Sequence, residues 1–172
     1  MKRAFTKLLK ELDEEDLRQE LTNIYDRFPQ VREYYKLELS ENTKGVVERY
    51  RKALRKAFFT GRRRMNRRGR SASTKVLKEF AAISIHPRDL VDLTFYRVEV
   101  MIEAIGHYYV ENEAFYNSLG KSYAQACQLA RKEMLEGSFK DKAFELAEYF
   151  DREKVLPYVS LWEVFDIYFG GE

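Results

Sequence analysis

Apolar residues recur along the chain at spacings of three and four, and no stretch alternates with a period of two, so the pattern predicts helices and no strands. In "LDEEDL", Asp13 is placed to accept from the free amides of a first turn and Leu12 to pack on Leu17, which predicts a helix from about Glu14 to Phe28. Pro29 then opens a shorter helix through Leu39. Asn42 or Thr43 caps the next, where Val47, Tyr50, Leu54 and Phe58 share one face while Arg49, Lys52, Arg55 and Lys56 lie largely on the others. A helix beginning at Ser71 or Ser73 follows. "ISIHPRDL" places His86 at a cap, Pro87 at the first helical position and Asp89 in the first turn of a helix of about twenty residues, roughly 30 Å long, ending near His107. Apolar residues cover most of its circumference, so it is expected to be the central helix.

Asn112 caps another long helix, with a near-heptad seam of Tyr116, Leu119, Tyr123, Ala126, Ala130 and Met134 and an end at Gly137. Two more are expected, from about Lys140 to Lys154 and from Pro157 to Phe169. With no repeat and no low-complexity linker, the reading is one all-α domain over residues 1–172, of eight or nine helices, interrupted by a basic loop at about 60–72. Periodicity leaves open whether this is a helical bundle or a short stack of helix pairs.

Composition refines this picture in two respects. Hydrophobic residues at 45% and charged residues at 34% belong to a globular chain with one sizeable core, and three prolines and eight glycines suit long helices. Cys127 has no disulfide partner, the opening MKRAFTKLLKELDEED lacks a signal-peptide core, and no apolar run reaches membrane-spanning length. A reduced, cytoplasmic location and no membrane association are therefore expected.

Charge is distributed unevenly. Between Arg49 and Lys78 lie thirteen of the 31 Lys and Arg residues and no acid, leaving eighteen bases against all 28 acids elsewhere. An acidic body thus carries one basic segment, whose densest part, "GRRRMNRRGR", holds six arginines in ten positions. Guanidinium groups stay charged and can offer paired hydrogen bonds to phosphate oxygens, so Arg49, Arg51, Arg55, Arg62, Arg63, Arg64, Arg67, Arg68 and Arg70 are the candidate nucleic-acid-binding residues. Such contacts hold a backbone without reading sequence. Aromatic residues that would stack single-stranded bases are scarce beside them, Phe58 and Phe59 being the nearest.

The same segment could instead be a solvated loop, dock on an acidic surface of its own or a neighbouring chain, or engage an acidic protein partner. A dock is available in the sequence: Asp92, Tyr96, Glu99, Glu103 and His107 form one polar stripe on the central helix, which otherwise is simply that helix's solvent-facing strip. A helix-turn-helix arrangement around His86-Pro87 is disfavoured, because its second helix offers acids where base edges want Arg, Asn or Gln.

Enzymatic chemistry finds little support. Glu103 and His107 lie one turn apart but are only two potential ligands, Cys127 has no histidine near it in sequence, and "GRRRMNRRG" lacks the Lys-Ser/Thr ending of a phosphate-binding loop. No catalytic residue, metal site or cofactor is expected. Tyr158, Trp162, Phe165 and Phe169 read as core, or as a partner or homodimer seam.

The succession "LDEEDLRQEL", "YDRFPQVREYYKLEL", "ERYRKALRKAFF", a basic loop, "PRDLVDLTFYRVEVMIEAI" and "NEAFYNSLGKSYAQACQLA" resembles domain of unknown function family 6155 over residues 4 to 136. The resemblance implies an all-helical bacterial protein and supplies no activity and no catalytic residue. The two functions left by this reading are binding of phosphate-rich ligands, nucleic acid first, by a non-enzymatic helical protein, and protein interaction through the basic loop or the C-terminal aromatic helix.

Overall fold

The computed structural model describes residues 1–39, 43–61 and 63–170, and among them are nine helices and no strand. Contacts cluster in two compact units, Met1–Thr43 and Lys44–Glu172.

The first unit contains α1 (Lys2–Glu11), α2 (Glu14–Arg27) and α3 (Pro29–Leu39). Asp13 caps α2 as its sequence predicts, its Oδ1 accepting from the Asp16 amide at 2.8 Å. Phe28 leaves the helix with an extended backbone, φ −113° and ψ 110°, the conformation favoured before Pro29. Arg32 Nη1 then donates back to the Asp26 carbonyl at 2.5 Å, satisfying the end of α2, and Tyr25 meets Tyr35 across the α2–α3 turn with ring centroids 6.1 Å apart. The helix α1 went unread in the sequence, although Phe5, Leu8, Leu9 and Leu12 have helical spacing.

The second unit holds α4 (Lys44–Phe58), α5 (Gly69–Ile83), α6 (Pro87–Tyr108), α7 (Glu113–Lys132), α8 (Glu136–Glu153) and α9 (Leu161–Phe169). The expectation of a central helix holds: α6 buries eleven side chains and touches α4, α5, α7 and α8. This unit is therefore a bundle wrapped around α6 rather than a stack of pairs. Its core is one continuous cluster in which Phe95 stacks on Phe139 at 5.5 Å and Tyr123 donates to the Ala143 carbonyl at 2.9 Å. Burying a polar hydroxyl of this kind requires such a partner.

Three boundaries differ from the sequence reading. First, α7 stops at Lys132, well before Gly137, because Met134 turns left-handed (φ 55°) and the Leu135 amide bonds the Ala130 carbonyl at 2.8 Å while that of Met134 bonds Arg131 at 3.1 Å. This is the Schellman closure, here formed on methionine instead of glycine. Gly137 falls inside α8, which consequently starts earlier than Lys140. Second, α9 begins at Leu161 and not Pro157, and the segment ahead of it is tied to α7 where the Tyr116 hydroxyl accepts from the Val155 amide at 3.0 Å. Third, α5 starts at Gly69, with the Ser71 and Ser73 hydroxyls bonding back to the Arg68 and Arg70 carbonyls instead of capping. Asn112 does cap α7, accepting from the Phe115 amide at 3.0 Å. Asn42 lies outside the described residues, and α4 begins directly after Thr43.

Candidate nucleic-acid interface

The basic loop joins α4 to α5, and one residue shapes it. Asn66 donates from Nδ2 to the Ala57 carbonyl at 2.9 Å and from its backbone amide to the Phe58 carbonyl at 3.1 Å, satisfying the last turn of α4. Its Oδ1 accepts from the Arg68 amide at 3.0 Å and its carbonyl from the Gly69 amide at 2.9 Å, which sets the entry to α5. The loop is thereby shorter than the sequence suggests, ending at Arg68. Gly69 is required where the two helices meet: a Cβ there would lie 2.7 Å from Phe58 Cδ1 and 3.0 Å from the Ala57 carbonyl oxygen.

Further anchors come from α6 and the core. Tyr108 donates its hydroxyl to the Gly61 carbonyl at 2.7 Å, Phe59 packs its ring on His107 and Tyr108, and Met65 is partly buried against the core cluster. The loop backbone is thus held at Gly61, Met65 and Asn66.

The nine candidate arginines divide into three groups, with Arg62 outside the described residues. Arg51 and Arg55 face the acidic stripe of α6. Arg51 Nη2 bonds Asp92 at 2.5 Å and its guanidinium lies 5.0 Å from the centre of the Tyr96 ring. Arg55 forms a two-pronged pair with Glu103, Nη2 to Oε1 at 2.5 Å and Nη1 to Oε2, and its guanidinium covers Phe59 at 4.7 Å. Lys142 of α8 reaches the other Asp92 oxygen at 2.7 Å. Burial works against the charged form of Asp92, but the Lys142 and Arg51 hydrogen bonds prevail and hold its carboxyl below the usual carboxylate range. The stripe is therefore a dock for the basic helix α4, and the described loop arginines bond none of it.

Arg49 and Arg70 form the second group. Arg49 lies over the Tyr50 ring at 5.4 Å, and Arg70 Nη1 donates to the Ala114 carbonyl at 2.7 Å, tying α5 to the start of α7. The third group is Arg63, Arg64, Arg67 and Arg68, all exposed, whose guanidinium groups make no hydrogen bond or ion pair with the described residues. They stand beside the first turn of α5, which carries no acidic residue and no side-chain cap, so the positive end of that helix dipole adds to their field.

Cys127 is fully buried on α7, and burial pushes its thiol up to about 12. No group of three His, Cys, Asp or Glu capable of holding a metal occurs among the described residues. Phe165 and Phe169 face inward with Trp162, whose indole donates to Asp151 at 2.7 Å, so these aromatics serve the core while Tyr158 stays half exposed. No helix among the described residues is long and apolar enough to cross a membrane. The sequence reading missed Asn66, although an asparagine three residues before a helix start is a recognisable turn signal, and it missed Arg97.

The model of the family of unknown function DUF6155 matches residues 1–160, and the chain belongs to that family. No curated protein and no solved structure matches it.

Proposed function

We propose that the chain is a non-enzymatic helical protein that binds phosphate-rich ligands, nucleic acid foremost, through Arg63, Arg64, Arg67 and Arg68. The observation that carries this reading is the contrast within one basic segment: Arg51 and Arg55 are paired with acids of the fold, whereas the guanidinium groups of these four exposed arginines make no hydrogen bond or ion pair with the described residues and sit on an anchored backbone. Charge that folding does not consume is available to neutralise an external anion, and guanidinium suits phosphate. Backbone phosphates are contacted without base recognition, so binding is weakly sequence-selective and steeply salt-dependent.

The test is fluorescence anisotropy with a labelled duplex DNA and a structured RNA at low and near-physiological salt. Binding by the native chain, lost in the Arg63→Glu, Arg64→Glu, Arg67→Glu, Arg68→Glu variant, is the expected result. Binding that survives this reversal refutes the proposal. The same free arginines also suit an acidic protein surface, and that second reading takes over if neither nucleic acid binds at low salt.

A further inference from the structure

A second cationic feature lies away from the arginine loop. Arg97, on α6, is only 5% exposed, yet none of the described carboxylates pairs with it. Its two hydrogen bonds go to neutral hydroxyls of α5: Nε to Ser73 Oγ at 2.9 Å and Nη2 to Thr74 Oγ1 at 3.1 Å. Both hydroxyls in turn donate to the Arg70 carbonyl, at 3.0 and 2.9 Å, which turns their lone pairs toward Arg97 and fixes the guanidinium. A buried charge is ordinarily matched by an opposite one, because hydroxyls offset only part of its lost hydration. Burial accordingly lowers the Arg97 pKa to about 10.

The Ser73 and Thr74 bonds occupy the Nε–Nη2 edge and leave the Nη1–Nη2 end, a further pair of parallel donors. Arg51 Nε is the one fully buried side-chain nitrogen or oxygen without a partner among the described residues, so Arg97 Nη1, which bonds none of them, keeps contact with solvent, and Arg97 lines a groove. This groove, of about 570 Å³, has Arg97 and Thr94 of α6 in its floor and α5 and α7 as its walls. Lys78 stands on one wall and Lys132 on the other, the latter 3.7 Å from the Glu133 carboxylate. No lining residue is acidic, and Leu77, Leu90 and Leu129 make much of the surface apolar. A concave, largely apolar groove of this size with a few convergent polar groups is the usual form of a small-molecule site.

We infer that the groove between α5 and α7 binds a small amphiphilic oxyanion, its carboxylate or phosphate head on the free end of Arg97 between Lys78 and Lys132 and its apolar body along Leu77, Leu90 and Leu129. The head supplies the counter-charge that the fold withholds from Arg97, and the body covers the leucines. An anion without an apolar body, or an apolar chain without a charge, meets only half of this surface.

Calorimetric titration of the full chain with decanoate, decyl phosphate, decanol and acetate tests the inference. Decanoate, decyl phosphate or both should saturate one site, with decanol and acetate at least about tenfold weaker. The tighter of the two anions identifies the head group. Lys78→Glu combined with Lys132→Glu changes two exposed side chains, leaves the core intact, and should weaken anion binding at least about tenfold. Arg97→Lys keeps the charge but loses the planar fork and should weaken it as well, while reversal of the four loop arginines should leave it unchanged. Neither anion exceeding decanol, or unaltered anion binding in the Lys78 and Lys132 double variant, overturns the inference.

Discussion

Replacing Asn66 by alanine removes the two side-chain hydrogen bonds that join the end of α4 to the start of α5. One leaves the Ala57 carbonyl without its donor and the other leaves the Arg68 amide without its acceptor. Asn66 is half-buried, so water can reach part of what is lost, and each bond contributes on the order of 1 kcal/mol net. The expected destabilisation is therefore about 2 kcal/mol, which for a chain of this size lowers the thermal midpoint by roughly 4–8 °C. Urea denaturation followed by circular dichroism gives the free energy, and amide hydrogen exchange should show lost protection at Arg68. Asn66→Asp keeps the acceptor for Arg68 and loses the donor to Ala57, so it should recover about half of the alanine effect. A change within about 0.5 kcal/mol for Asn66→Ala, the range of an ordinary surface substitution, would refute the role given to this residue.

Other outcomes follow from the same structure. Asp92→Asn leaves Arg51 and Lys142 facing a neutral amide and should cost about 2 kcal/mol at neutral pH. Because the folded carboxyl lies below its unfolded value of about 3.9, its contribution is present above that pH and fades as pH falls through the folded value. Acid titration of stability should accordingly fall less steeply in the variant than in the native chain below pH ~4. Met134→Gly relieves a left-handed backbone at an exposed position and should stabilise by about 1 kcal/mol in urea denaturation, provided that the Schellman closure persists. Cys127 should react with a thiol reagent only as fast as the core opens, so its labelling rate should rise with urea in step with unfolding.

Features set by local bonding were legible in the sequence. The Asp13 and Asn112 caps close hydrogen bonds three residues away, and the residues between them supply the rest of the signal. The apolar circumference of α6 likewise required a surrounding shell of helices, which it has. Features set by distant partners were not legible. The segment ahead of α9 is tied by its Val155 amide to a Tyr116 hydroxyl 39 residues earlier, and no periodicity carries that information. The division of the arginines has the same origin: Arg51 and Arg55 find acids 41 and 48 residues on, so their sequence alone could not separate them from Arg63, Arg64, Arg67 and Arg68. Arg97 reads as one polar residue on an apolar helix until Ser73 and Thr74 are brought beside it.

The central claim is that phosphate contact resides in the four free arginines and not in the paired ones. It is tested most directly by the salt dependence of duplex DNA binding, measured for the native chain, for Arg63, Arg64, Arg67 and Arg68 changed to Gln, and for Arg51 and Arg55 changed to Gln. Each phosphate neutralised on a duplex contributes about −0.9 to the slope of log K against log salt, so the fourfold change should make the slope shallower by roughly 3 to 4. The Arg51 and Arg55 changes should lower stability and leave the slope as it is. Equal slopes for the native chain and the fourfold variant, or a slope lost with Arg51 and Arg55, would contradict the account.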